Sequence, residues 1–125
     1  MRVFVTGGAG FIGSQYVREL LSDSYPGFAG AQVTVFDKLT YAGNVSSLLD
    51  VHDDPRYRFE RGDIADKHSL ADAIRDNHID TIVNFAAESH VDRSILEPDA
   101  FIHTDVVGTY VLLEATRQFG LERLH

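Results

Sequence analysis

Gly7, Gly10 and Gly13 stand directly after the apolar run Val3-Phe4-Val5 and before a helical pattern carried by Ile12, Tyr16 or Val17, Leu20 and Leu21. Strand, glycine turn and helix in this order suit the pyrophosphate of a dinucleotide. Gly7 permits the tight turn out of the strand. Gly10 lets backbone N–H groups approach the phosphates, and Gly13 lets the helix lie close to the sheet. The anion then rests at a helix N-terminus, where unpaired N–H groups and the macrodipole carry about half a positive charge. The plainer alternative is a glycine turn that merely joins a strand to a helix. A partner acid argues against it: Asp37 closes a second strand, Val33-Thr34-Val35-Phe36, and lies 24 residues past Gly13, near the ~20 expected of a ribose-binding carboxylate.

A carboxylate at that strand end accepts both ribose hydroxyls of an adenosine. It repels a 2′-phosphate about 4 Å away by about 4 kcal/mol at an effective dielectric of about 20, which favours NAD over NADP. Lys38 is the neighbouring charge that softens this preference, and the alternative role for Asp37 is to start a turn. Asp63 follows the alternating run Tyr57-Arg58-Phe59-Glu60-Arg61. At a strand's carboxyl end it either holds the adenine amino group or serves as a turn or cap residue. A third segment, Glu88-Ser89-His90-Val91-Asp92-Arg93-Ser94, leaves the most apolar strand of the chain. Polar residues at such a strand end are costly unless they meet water or a ligand.

The elements that must position these groups follow from periodicity and punctuation. A first helix is predicted over Phe11–Ser22, ended by the breaker cluster Ser22 to Gly27, and residues 26–31 read as a surface loop. Residues 38–44 read as another loop, followed by a short helix around Val45 to Val51 and a turn at His52-Asp53-Asp54-Pro55, whose acids read as solvated. Asp66 is the expected cap of a helix over Lys67–Asn77, with Leu70, Ala71, Ile74 and Ile79 toward a sheet. Asp80 to Ala87 reads as a central parallel strand covered on both faces. Pro98 opens a long helix to Phe119, with Gly120 just past its end. Leu121 to His125 approach a fifth strand. Strand–helix alternation throughout implies an α/β, doubly wound parallel sheet of Rossmann type.

Composition removes several function classes. The 125 residues make one domain, and 44% hydrophobic with 24% charged residues is ordinary for a folded globular chain. No apolar run approaches the ~20 residues of a membrane span, and the N-terminus reads as a strand rather than a signal peptide. Cysteine is absent, which excludes disulfides and thiolate metal sites and is compatible with a cytoplasmic location. The net charge of −8, without a basic stripe, argues against nucleic acid as a partner. The six histidines show no His-x-x-x-His spacing, so no metal site is expected. No serine sits in a Gly-x-Ser-x-Gly elbow, which leaves hydrolase chemistry without support. His90 lies either near the site or in solvent.

With these segments placed, the chain resembles the extended short-chain dehydrogenase/reductase superfamily and, within it, the dTDP-glucose 4,6-dehydratases. Three passages carry the resemblance: Thr6-Gly7-Gly8-Ala9-Gly10-Phe11-Ile12-Gly13, Asp37-Lys38-Leu39-Thr40-Tyr41-Ala42-Gly43-Asn44, and Ala86-Ala87-Glu88-Ser89-His90-Val91-Asp92-Arg93-Ser94. The last two separate this family from the nucleotide-sugar epimerases and decarboxylases. The resemblance implies that Gly7, Gly10, Phe11, Ile12 and Gly13 hold the pyrophosphate of NAD. It places Asp37, Lys38, Leu39 and Thr40 round the adenosine ribose and Asp63 with Ile64 round the adenine. Phe85, Ala86, Ala87, Glu88 and Ser89 line the nicotinamide half, and Thr104 completes the cofactor site. Ser89 also reaches the sugar nucleotide, with His90 beside it.

The family oxidises carbon 4 of the glucosyl ring with NAD, eliminates water across carbons 5 and 6, and returns the hydride to carbon 6. It dimerises through a helix like the one from Asp99 to Phe119 together with the following helix, so a chain ending here is expected to expose Phe101, Tyr110 or Leu113 and dissolve poorly. Two departures from the pattern stand out. Asp105 occupies the position where most relatives carry Asn. The family's Tyr-x-x-x-Lys is missing, because Lys38 and Lys67 are preceded four residues earlier by Thr34 and Asp63. Without that tyrosine the redox step has no base. No catalytic residue is therefore expected in this chain, which reads as the cofactor-binding front of a longer enzyme that lacks its substrate domain. The alternatives are a nucleotide-sugar 4-epimerase of similar build and a non-catalytic dinucleotide-sensing module.

Overall fold

The computed structural model describes residues 1–40 and 43–125; Tyr41 and Ala42, within the loop expected over 38–44, lie outside the described residues. Five strands form one parallel sheet: β1 (Arg2–Thr6), β2 (Gln32–Asp37), β3 (Tyr57–Arg61), β4 (Thr81–Asn84) and β5 (Arg123–Leu124), in the order β3-β2-β1-β4-β5. The chain winds outward one way through β2 and β3, then returns to β4 on the other side of β1. That reversal is the defining feature of a doubly wound sheet.

Alternation along the central strands explains why both faces are covered. Val3, Val5, Val33, Val35 and Val83 join Val17, Leu20 and Leu21 of α1 (Phe11–Leu21) in one apolar cluster. Phe4, Phe36 and Ile82 point the opposite way, into a second cluster with Leu70 and Ile74 of α2 (Lys67–Asp76) and Leu112 of the last helix. Strands buried on both faces read as continuous apolar runs, as Val3-Phe4-Val5 does. Each fully buried valine, leucine or phenylalanine contributes about 1.5–3 kcal/mol relative to exposure.

Local chemistry sets the element ends. Asp66 caps α2 as expected, accepting from the backbone N–H of His68 at 3.0 Å and of Ser69 at 3.2 Å. Gly120, in the left-handed region at φ +61, ends the last helix as expected. Several expectations need correction. The loop at 26–31 contains a 3₁₀ turn, Pro26–Phe28, and the short helix expected around Val45 is also a 3₁₀ turn, Val45–Leu48. Strand β4 stops at Asn84 instead of running to Ala87, because the Asn84 side chain accepts from the Ala86 N–H at 3.1 Å and turns the backbone out of the ladder.

The polar segment after β4 holds a short helix, α3 (Val91–Leu96), that periodicity did not reveal. The long helix is also not uniform. It comprises α4 (Pro98–Phe101), a π-helical stretch over Ile102–Gly108, and α5 (Thr109–Phe119). π-Helical segments inside α-helices tend to occur at functional sites. Among the described residues no helix is long and apolar enough to cross a membrane.

Arg56 ties the loop before β3 to the end of α1. Its guanidinium lies 2.9 Å from Asp23 Oδ1 and 3.1 Å from Asp54 Oδ2, and it also donates to the Leu21 carbonyl. The Gly30 N–H and then Arg56 hold the Asp23 carboxyl below the ordinary range, and Arg56 does the same to Asp54. Depressed carboxylates add stability above their unfolded pKa of about 4 and lose it as pH falls through the folded value. Arg56→Met should therefore lower the melting temperature by a few degrees at neutral pH. The deficit should shrink below about pH 4, as thermal melts across pH will reveal.

Candidate functional site

A cleft of about 450 Å³ opens along the carboxyl ends of β1 to β4. That volume is within the range of small-molecule sites, and the location is the switch point of the sheet, where doubly wound folds bind ligands.

Its floor is the turn between β1 and α1. Gly7 adopts φ +67 while its N–H donates to the Phe36 carbonyl at 3.0 Å, and the Gly10 N–H donates back to the Gly7 carbonyl at 3.1 Å. A Cβ on Gly7 would sit 2.5 Å from the Ala86 nitrogen and 2.6 Å from the Phe85 carbonyl carbon. One on Gly13 would overlap the Gly7 carbonyl oxygen and lie 2.8 Å from Gly8 Cα. The backbones of turn, helix and β4 thus meet at distances that only glycine permits. The cap of α1, Gly10, makes no side-chain cap bond, and the first turn carries no acidic residue. The amides of Phe11, Ile12 and Gly13 therefore keep the outward N–H groups that helix geometry leaves at a first turn. Helix first turns of this kind attract anions, and this one carries no carboxylate of its own to compete.

Asp37, at the end of β2, is 9% exposed. Its Oδ2 accepts the Ala9 N–H at 2.9 Å and its Oδ1 the Leu39 N–H at 2.8 Å. A carboxylate has about four acceptor positions, so two remain for hydroxyls in the cleft. Asp37 thus also performs the turn role, holding Leu39 at φ +57. On the edge of the cleft formed by β2 and β3, Lys38 Nζ lies 2.6 Å from Asp63 Oδ2, and Asp63 Oδ1 accepts the Ala65 N–H at 2.9 Å. Partial burial raises the Asp63 pKa, but the Lys38 and Ala65 hydrogen bonds and the charges of Lys38 and His103 outweigh it, leaving the carboxyl below the usual range. Asp63 therefore performs the turn role, one of the two its sequence position left open, and it also stands on the wall of the cleft.

On the β4 side, Asn84 Oδ1 accepts the Thr6 hydroxyl at 2.6 Å, and the Phe85 N–H donates to the Thr6 carbonyl at 2.9 Å. The Phe85 ring packs on Tyr16 with centroids 5.2 Å apart. Beyond it, the Glu88 N–H donates to Asp105 Oδ1 at 2.8 Å. Asp105 comes from the π-helical stretch, which also brings Thr104 to the cleft. Asp105→Ala should weaken dinucleotide affinity about fivefold by releasing Glu88, while Asp105→Asn, which keeps the acceptor oxygen, should stay near the parent in calorimetric titration.

The structure gathers most of the expected residues round this cleft. From the first turn these are Gly7, Gly10, Phe11, Ile12 and Gly13; from the end of β2, Asp37, Lys38 and Thr40. Asp63 and Ile64 follow β3, and Phe85, Ala86, Ala87, Glu88, Ser89 and Thr104 close the far side. Leu39 is not on the wall, because its side chain packs against the cluster beneath β2. His90 is not on it either and precedes α3 as its cap residue. Phe36, Gly43 and Gly62 line the cleft without having been singled out; Phe36 and Gly62 each precede a residue that was, and adjacency was the available signal for those two. A smaller cleft of about 290 Å³, lined by Arg93, Glu97, Ala100 and Phe101, adjoins through Thr40 and Glu88.

Fold and cleft together define a Rossmann-type domain with a glycine-turn anion seat and a carboxylate at the end of its second strand. Over residues 4–125 the sequence matches the model of a family described as GDP-mannose 4,6 dehydratase, and the chain belongs to that family. It is 53% identical to a dTDP-glucose 4,6-dehydratase of Streptomyces niveus over 98% of this chain and 36% of the relative. A crystal structure of DesIV, a dTDP-glucose 4,6-dehydratase from Streptomyces venezuelae with NAD bound, matches at TM-score 0.94 and 52% identity, covering 99% of this chain and 38% of that one. A UDP-glucose 4-epimerase of Thermus thermophilus in complex with NAD matches at TM-score 0.84 and 35% identity, covering 99% and 36%. The chain spans about a third of the length of the curated relatives it matches.

Proposed function

We propose that residues 1–125 form the NAD-binding part of a dTDP-glucose 4,6-dehydratase, a lyase that converts dTDP-glucose to dTDP-4-keto-6-deoxyglucose. The observation that carries this is the meeting, in one cleft, of the glycine seat at α1 with the Asp37 carboxylate. When bound, NAD supplies a hydride acceptor that is regenerated within the turnover. The chain's own groups do the holding. Amides of the α1 first turn take the pyrophosphate, Asp37 takes the ribose hydroxyls, Asp63 and Ile64 flank the adenine, and Phe85 to Ser89 with Thr104 border the nicotinamide. Ser89, at the end of that border, faces the sugar nucleotide. The substrate domain and the redox base belong to the part of such an enzyme that this chain does not span.

Higher identity to dehydratases than to the epimerase favours dehydration over epimerisation. Homodimerisation is supported by the exposed apolar side chains Ile102, Val106, Tyr110 and Leu113 along the long helix. A cytoplasmic location fits the lack of cysteine.

Calorimetric titration of this chain with NAD tests the binding role, with saturable one-to-one binding expected and its absence fatal. For the whole enzyme, incubation with dTDP-glucose should yield the 4-keto-6-deoxy product. A 4-epimer in its place would transfer the assignment to the epimerases.

A further inference from the structure

Among the described residues that line the cleft, Lys38 is the one lysine or arginine, and it stands next in sequence to the carboxylate assigned to the ribose. Sequence alone leaves it as a cation adjacent to the 2′ position, available to a phosphate there. The fold disposes of it otherwise. β2 and β3 pair in parallel with Asp37 opposite Arg61, so Asp63 emerges two residues past the partner of Asp37, on the same edge of the cleft. The Lys38 side chain crosses to it and ends 2.6 Å from Oδ2. Asp63 is held in place by the Ala65 N–H on its other oxygen and is the more buried of the two, 23% exposed against 53%. The latch is thus anchored on its acidic side, and the ammonium comes to it.

We propose that Asp63 is a specificity-determining residue that enforces NAD over NADP by withholding the Lys38 ammonium from a 2′-phosphate. The inference deepens the dinucleotide-binding role and rests on it. Asp37, Lys38 and Asp63 together carry one net negative charge at the adenosine end. A 2′-phosphate there meets the Asp37 carboxylate directly and finds the neighbouring cation already paired. A free lysine would instead offer it a charge-assisted hydrogen bond. Two carboxylates therefore divide the work: Asp37 repels the extra phosphate, and Asp63 removes what would otherwise attract it.

Titration of the parent chain, Asp63→Asn, Lys38→Met and the double variant with NAD and NADP tests this. Asp63→Asn keeps an oxygen for the Ala65 N–H but presents no charge to Lys38. Any loss of an adenine contact affects both dinucleotides alike, so the NADP-to-NAD affinity ratio isolates the latch. The ratio should rise about tenfold in Asp63→Asn and return to the parental value in the double variant. Lys38→Met alone should leave the ratio within about twofold of the parent. An unchanged ratio in Asp63→Asn, a gain that persists without Lys38, or a large fall in Lys38→Met overturns the inference while NAD binding stands. A parent chain that binds neither dinucleotide overturns the binding role and the inference together.

Discussion

Replacing Gly7 with alanine should cost the fold about 2–5 kcal/mol and remove dinucleotide binding. Two independent penalties coincide there. The backbone sits at φ +67, in the left-handed region where a side chain costs about 1–2 kcal/mol. The added Cβ would also lie 2.5 Å from the Ala86 nitrogen and 2.8 Å from its Cα. Those atoms belong to backbone just beyond β4, held by the Phe85 N–H bond to Thr6 and the Ala86 N–H bond to Asn84. They have no rotamer to change, so the turn must move, and the α1 amides move with it. Urea denaturation should show the lost stability, and calorimetry with NAD the lost affinity. A variant with parental midpoint and parental affinity would mean that the turn is not the anion seat.

Asp37→Ala is the second large effect. Affinity for NAD should fall by about 2–3 kcal/mol, roughly thirty- to 150-fold, since hydrogen bonds to a charged group are worth about that much. The same change leaves the Ala9 and Leu39 N–H groups without their acceptor. The first of these lies in the glycine turn itself, so the proposed ribose and phosphate subsites are mechanically joined through one side chain. Asp37→Asn can accept only one of the two N–H groups through its single carbonyl oxygen, and should fall between parent and alanine variant. Titration of all three proteins gives the order. Equal affinities would take Asp37 out of the cofactor site.

Much of this was legible along the chain. The turn from Gly7 to Gly13, the strand ending at Asp37 and the cap at Asp66 each depend on residues within a few positions of one another. The alternation of Val3, Phe4 and Val5 is likewise a local signal of a strand buried on two faces. The less legible part begins after β4. Asn84 ends the strand early through a side-chain bond to its own backbone, and apolar character alone continued it to Ala87. Residues 91–96 form a helix whose apolar members Val91, Ile95 and Leu96 are exposed, so no buried stripe marked it. The π-helical stretch lies in a sequence whose spacing is ordinary helix.

By itself, then, the sequence determined the doubly wound sheet, the glycine turn and the carboxylate that closes the second strand, because strand, turn and cap preferences act between near neighbours. Only the tertiary structure decided what the remaining charges do. Lys38 meets Asp63, and Asp105 meets the Glu88 N–H, across 25 and 17 positions of chain. Those distances are closed by strand pairing and by the widened helix, and neither the partner of a lysine nor that of an aspartate is encoded in its immediate neighbours.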